Sequence, residues 1–533
     1  MSNDIMAPLS PDARRKEAKA KREQALSISL GHPLPKHQPN GEEEAFLESG
    51  NFPVSSFSKG LRHNDKGEVE LAHYKQLRRV LKSGKHSDFA SLPLGTPGGR
   101  KLTSPQAGLS YDLQGPDAQA VTMAPVPRMD SRQTTAEMIE LYWMALLRDV
   151  PFTRFETNAD VAVAAAELKK YQADLGRLPP GATVTPRTVF RGSTAGAMAG
   201  PYISQFLLRE IPYGSLRISP LQQTIVPGCD YLTDFGAWLK IQNGQPAGNP
   251  AFDMTRRYIR NMRDMAHYVH RDALYQAYLN AALILLGMDM DPTLGKPGED
   301  IDAGNPYRTS PNQEGFATFG GPHILSLVTE VATRALKAVW FQKWFVHRRL
   351  RPEEFGGRVD VHRRKLASYP VNAELLSSQA HERILKRYGS SLLPQAFPEG
   401  SPVHPAYGSG HATVAGACVT ILKAWFDGGK PLRGPISVPN DEGTALEDYK
   451  GPDASKLTVG GELDKLAANI SVGRNMAGVH WRTDYTESIR LGEQVALRLL
   501  QEQSILYNEP NVFTVVTFDG QTVKVRGGEI LPG

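Results

Sequence analysis

Cysteine is nearly absent: Cys229 and Cys418 are the only two in 533 residues. Two thiols cannot build a disulfide framework, although one bridge, within or between chains, stays open. Long apolar runs are missing too. No stretch reaches the ~18 residues of a membrane span, and mean hydropathy is −0.36. The Met-Ser-Asn-Asp start has no positive segment leading into an apolar one, so no signal peptide is expected and the cytoplasm is the expected compartment. Charge of one sign is scarce: 61 Lys and Arg against 56 Asp and Glu leave +5. That field is too weak over this length to indicate nucleic acid, and a small anion held in one site fits equally well. No repeat at a fixed period occurs, and 49 Gly and 39 Pro are scattered without collagen-like order. Fibrous, disordered and coiled-coil chains are thereby excluded; 40% hydrophobic and 22% charged residues describe a globular protein.

What is present is mostly helical. Asp12 to Gln24 reads as a charged helix with little apolar face, a solvated or oligomer-clasping arm. A Gly-, Pro- and Ser-rich wrapping segment follows, with a helix near His73–Leu81. Thr134-x-x-Glu137 reads as a capping box ahead of an apolar stripe at Met138, Leu141, Tyr142, Ala145 and Leu146. Asn158 can cap 161–173. Further helices are expected over 253–286, 324–350, 412–426, 462–472 and 486–506, with Met254, Met262 and Met265 as core. Residues 513–525 alternate across Asp519-Gly520 as a β-hairpin. The expected fold is mostly α, helical bundles with a few short strands and a C-terminal β-hairpin. Its three parts are an N-terminal arm and wrap (1–127), a helical catalytic body (128–510) and a hairpin tail (511–533).

Three segments carry chemistry together. Lys343 and Arg351 lie eight apart near a helix end, so both can share a face. Pro352 disfavours helix at Arg351, which can turn its guanidinium back towards the same place. His404-Pro-Ala-Tyr-Gly408-Ser409-Gly410-His411 runs into a helix, where Ser409, Gly410 and free N–H groups make an anion cradle. Ser409 taken alone reads as an N-cap, and it lacks the G-x-S-x-G spacing of a nucleophile elbow. Arg474, His480 and Asp484 offer a charge clamp, a nitrogen ligand and an acceptor for that histidine, with a helix N-cap as the other role for Asp484. Three cations, a cradle and up to three histidines suit a tetrahedral oxyanion. The His270-Arg271-Asp272 triplet is not a kinase loop, because Ala277 stands at the Asn position. His267 and His270 read as packing or surface residues, and His362-Arg363-Arg364-Lys365 as a solvated loop.

Lys-x7-Arg-Pro, then Ser-Gly-His, then Ser-x-x-Arg-x5-His-x3-Asp resembles the vanadium-dependent haloperoxidases, which share their site architecture with type 2 phosphatidic-acid and bacterial acid phosphatases. The Lys-to-Arg offset and the His404 lead-in are most similar to red-algal and cyanobacterial bromoperoxidases; Asp149-Val-Pro-Phe and Gly200-Pro-Tyr-Ile-Ser-Gln-Phe add to the likeness. The resemblance implies that Lys343, Arg351, Ser409, Gly410 and Arg474 hold vanadate. It implies His480 as axial ligand to vanadium and His411 as acid–base on the opposite side. His404 is the second histidine of the bromoperoxidases, and Lys343 would polarise bound peroxide. Gly408 departs from the motif, which has Pro there. Implied substrates are H2O2 and bromide or iodide, chloride less so, with hypohalous acid passing to small organic acceptors. A structural Ca²⁺ or Mg²⁺ and a homo-oligomer, up to a dodecamer of dimers, are also implied. The rival is a soluble acid phosphatase with His480 as nucleophile; an inactive oligomeric scaffold is the other.

Overall fold

The computed structural model describes residues 9–176, 178–179, 181–291, 293–294 and 298–533. The longer helices used below are α1 (Pro11–Gly31), α2 (Leu71–Ser83), α3 (Arg132–Leu146), α4 (Ala159–Lys169), α5 (Met262–Arg271), α6 (Gln276–Asp289), α7 (Gly321–Phe341), α8 (Pro352–Arg363), α9 (Gly410–Trp425), α10 (Val459–Met476) and α11 (Arg482–Gln503). Short antiparallel pairs interrupt them: β1 (Ile211–Tyr213) with β2 (Leu216–Ile218), and β3 (Ser437–Pro439) with β4 (Leu446–Asp448). The Asp519-Gly520 hairpin forms from β5 (Phe513–Val516) and β6 (Thr522–Arg526), and β7 (Glu529–Pro532) extends it to three strands.

Helix α9 is the axle. It is apolar around its circumference and buried from Ala412 to Trp425, the pattern of a helix enclosed by others. It packs on α7, α10 and α11. Glycines set the closest approach: a Cβ at Gly416 would strike the Ile489 backbone, and one at Gly492 the Thr413 backbone. The N-terminal segment wraps this body through a separate apolar cluster of Phe57, Leu61, Tyr74 and Leu77 against Trp344. Helix α1 leaves most of its charged surface exposed, and beyond it His32 bonds Gln501 at 2.8 Å. Among the described residues no helix is long and apolar enough to cross a membrane. Both cysteines are free thiols, so the intrachain bridge left open by the sequence is not made.

Several local expectations give way. The 253–286 helix is two, because Asn261 caps α5 by accepting from Asp264 N at 2.9 Å and the chain turns extended at Asp272. Polar side chains that bond locally thus override an apolar periodicity that continues across the break. Met254 consequently lies in a loop, 95% exposed, whereas Met262 and Met265 are core. Thr134-x-x-Glu137 is not a capping box: Ser131 caps α3 and Glu137 is buried against Arg349 at 3.0 Å. The 324–350 helix ends at Phe341 and passes into a π-helical turn, Gln342–His347, closed by Arg348 in the left-handed region. His362 and Arg363 form the last turn of α8 rather than a loop. His362 Nδ1 accepts from Tyr369 N and Arg363 donates to Ser391 Oγ.

Candidate active site

Each motif sits where regular structure ends. Lys343 lies in the π-turn after α7; Arg351 is the N-cap of α8; Ser409 is the N-cap of α9; Arg474 is in the last turn of α10; and His480 is in the link to α11. The Pro352 restriction acts as expected, leaving Arg351 extended with its guanidinium turned inward.

The guanidinium of Arg351 organises the centre. It donates to His404 Nδ1 at 2.9 Å, His480 Nε2 at 2.8 Å and the Val479 carbonyl at 2.8 Å. Lys343 Nζ donates to the Pro405 and Ala406 carbonyls at 2.7 and 3.1 Å and stands over the Trp340 ring. Arg474 donates to the Val269 carbonyl at 2.7 Å, while its buried Nε has no partner. Asp484 fills both roles considered for it. It accepts from His480 Nδ1 at 2.7 Å and from Trp481 N at 3.0 Å, at the start of α11. A carboxylate only accepts, so the His480 proton resides on Nδ1 and the lone pair on Nε2 faces the cations. Behind it, Arg349 bridges Asp484 and Glu137.

At the cradle, Ser409 Oγ accepts from Ala412 N at 3.4 Å, and its carbonyl takes Thr413 N. Position in the first turn leaves the N–H groups of Gly410 and His411 without intrahelical acceptors. The departure at Gly408 is packed rather than loose: a Cβ there would collide with Ser488 Oγ and Met123. His411 Nε2 meets Asp272 Oδ1 at 3.0 Å. The His411 side chain is 17% exposed whereas that of His480 is 3%, so solvent reaches the site on the His411 side.

Charge is out of balance here. Burial pushes the Lys343 ammonium well below its ordinary value, and Arg351 and Arg474 push it further, with Asp484 opposing. Burial, then Arg351, Lys343 and Arg474, depress His480 strongly; the same cations depress buried His404. Both imidazoles are neutral. Burial would raise the Asp272 carboxyl, but His411 and Arg474 outweigh it and hold it below the usual range. Three buried cations, one with an orphaned N–H, face neutral imidazoles, and the adjacent carboxylates are already engaged. A multiply charged oxyanion is the group that such a donor set accepts, and vanadate fits it.

Arg351, His404 and His480 are thus joined directly, Lys343 is tied to the Pro405 and Ala406 carbonyls beside His404, and Arg474 acts on all four through its charge. Ser409, Gly410 and His411 border them at the start of α9, where Gly410 lies against Trp340. Asp272 was missed by sequence reasoning because its triplet resembles a motif of another class. The signal that could have found it was a charged residue interrupting an apolar helical stripe. Arg349, hidden in a basic run, was missed as well. Among the described residues no cluster of three His, Cys, Asp or Glu side chains is placed to hold a metal ion.

A family model described as the VCPO second helical-bundle domain matches residues 324–508, which contain all three motifs. The chain is 39% identical to a vanadium-dependent bromoperoxidase of Corallina pilulifera, over 89% of this chain and 91% of that one. It is 38% identical to one of Corallina officinalis (96% and 98% covered) and 35% to one of Ascophyllum nodosum (98% and 94%). A solved, homohexameric second vanadate-dependent bromoperoxidase of Ascophyllum nodosum superposes with a TM-score of 0.90 at 29% identity, covering 99% of this chain and 94% of its own. By sequence, by fold and by the anion-seeking centre at its helix ends, the chain belongs to the vanadium-dependent bromoperoxidase family.

Proposed function

We infer that the chain is an enzyme that oxidises bromide with H2O2 at a bound vanadate and yields hypobromous acid for small organic acceptors. One observation carries this beyond family membership: three buried cations converge on His480, whose Nε2 lone pair is held towards them by Asp484. Lys343, Arg351, Arg474, Ser409 and Gly410 would hold the oxyanion and His480 would ligate the vanadium. When bound, vanadate(V) supplies a Lewis acid that activates peroxide for attack by halide without changing oxidation state.

The chain's own residues do the rest. Arg351 holds His404 and His480 at fixed positions around one guanidinium. His411, at the solvent side and anchored by Asp272, is placed to take a proton from incoming H2O2 and return one to departing hypohalite. Lys343, held by the Pro405 and Ala406 carbonyls, would add its positive charge to the oxyanion side of the site. His404, neutral and against Trp340, lends the halide side a polar but uncharged wall.

The finer assignments are proposals of the same kind. Bromide and iodide are the expected halides, chloride the poorer one. Assembly is expected as a homo-oligomer, with a hexamer and a dodecamer of dimers separable by light scattering. The cytoplasm is the proposed compartment. A structural Ca²⁺ or Mg²⁺ would draw ligands largely from backbone carbonyls, since no cluster of three carboxylate, His or Cys side chains is formed among the described residues. The acid phosphatase alternative is not favoured, because the similar proteins across nearly the whole chain are bromoperoxidases. The test is to strip the protein of oxyanion and compare bromide, iodide and chloride oxidation before and after adding vanadate. Restored halide oxidation supports the reading; no halide oxidation with hydrolysis of a phosphomonoester overturns it.

A further inference from the structure

A cleft of about 590 Å³ opens on the outer side of Asp272, the residue that anchors His411. Its size suits a small organic molecule and greatly exceeds a halide ion or peroxide. Phe252 and Tyr268 give it aromatic walls. Arg256 and Arg271 line it too, and among the described residues neither makes an ion pair or side-chain hydrogen bond. His267 belongs to the same wall, only 4% exposed, with its Nδ1 unpartnered. Burial, with His270 and Arg271 beside it, keeps that imidazole neutral by lowering it to about 4. The site's own cations, Lys343, Arg351 and Arg474, are buried, whereas these two guanidiniums are exposed on the cleft and left for another ligand.

We propose that this cleft binds the organic acceptor of the halogen and selects an aryl carboxylate. The ring lies against Phe252 and Tyr268, the carboxylate meets Arg256 and Arg271, and His267 offers a hydrogen bond to a ring hydroxyl. Hypobromous acid emerging past His411 then meets a ring already in place. A C–Br bond forms at the ring carbon as the O–Br bond breaks, the C–H bond then breaks, and the ring proton leaves with the released hydroxide as water. The halogen transfer rests on the bromoperoxidase reading; the binding does not.

Calorimetry on the full-length, vanadate-loaded protein without peroxide or bromide tests binding, with 3-(4-hydroxyphenyl)propionate against its neutral amide. The acid should bind saturably and the amide about tenfold more weakly, the loss expected for a missing charge-assisted hydrogen bond. The double variant R256E/R271E should lose the preference while oxidising bromide at the unchanged rate. In turnover of an equal mixture, wild type should enrich brominated acid above the ratio given by reagent hypobromite, and the variant should return to that ratio. Equal, non-saturable binding of acid and amide, or a wild-type product ratio equal to that of reagent hypobromite, overturns the proposal. Selective binding lost in the variant, but with no bromide oxidation by either protein, upholds the cleft and sinks the bromoperoxidase reading instead.

Discussion

His480 shows how much a single proton position decides. Because Nδ1 keeps its proton and donates it to Asp484, the Nε2 lone pair, which accepts from Arg351, is the one offered to a ligand; a reversed tautomer would present a donor to the oxyanion's centre. His480→Ala should therefore abolish bound vanadate while the chain stays folded, as metal analysis beside circular dichroism would report. His404→Ala should leave vanadate bound and impair bromide turnover; full activity would deny His404 a part in the reaction. Asp272→Asn should keep vanadate but lower turnover by about 10²-fold, the scale of losing an oriented acid–base group. The candidate ligands were legible because their types and local spacings sit in three short stretches. Asp272 was not, since its partner His411 lies 139 positions away and only the tertiary fold brings them together.

Helix ends matter more here than helix interiors. Each candidate ligand occupies a cap, a first or last helical turn, a π-turn or a linking loop, so the helices position the site while their ends present it. Periodicity found the helices but misplaced these ends. Asn261 and the extended Asp272 divide one apolar stripe, and the π-turn at Gln342–His347 leaves no signature in the pattern. The α9–α11 contact supports the cradle from beneath, where Gly492 meets the Thr413 backbone. Gly492→Ala should cost about 1–3 kcal/mol by overpacking, readable as a lower urea midpoint. Next to Gly492, Glu493 of α11 accepts from Phe518 N at 2.9 Å, and burial lifts its carboxyl to about 7 against the pull of Lys423. The folded chain then keeps a proton that the unfolded chain, with its ordinary value of 4.5, has released. Stability from this group is full below that value and falls as pH rises to about 7, by about 3 kcal/mol in all. Glu493→Gln should flatten that decline in denaturant titrations at pH 5 and 8; an unchanged slope would contradict the assignment.

Across the whole molecule, the near-neutral charge conceals a strong local imbalance. The net +5 suggests nothing specific, yet three of its cations are buried together with neutral histidines. The helical class, the three motifs and the turn at Asp519-Gly520 were all legible. The third strand, the loop position of Met254 and the buried Arg349–Glu137–Asp484 bridge were not: β7 folds back on its neighbour β6 without a pattern of its own, the cap at Asn261 starts the helix beyond Met254, and the bridge joins residues distant in sequence. The scarcity of cysteine also suits a chain that generates an oxidant, since thiols would be consumed by its product. The most direct measurement is bromide oxidation by the oxyanion-free protein during titration with vanadate, repeated with phosphate as competitor. The account predicts no activity without vanadate, a rise that saturates at one vanadate bound per chain, and suppression by phosphate at the same site. Bromide oxidation that needs no vanadate, or none at saturating vanadate, would contradict it.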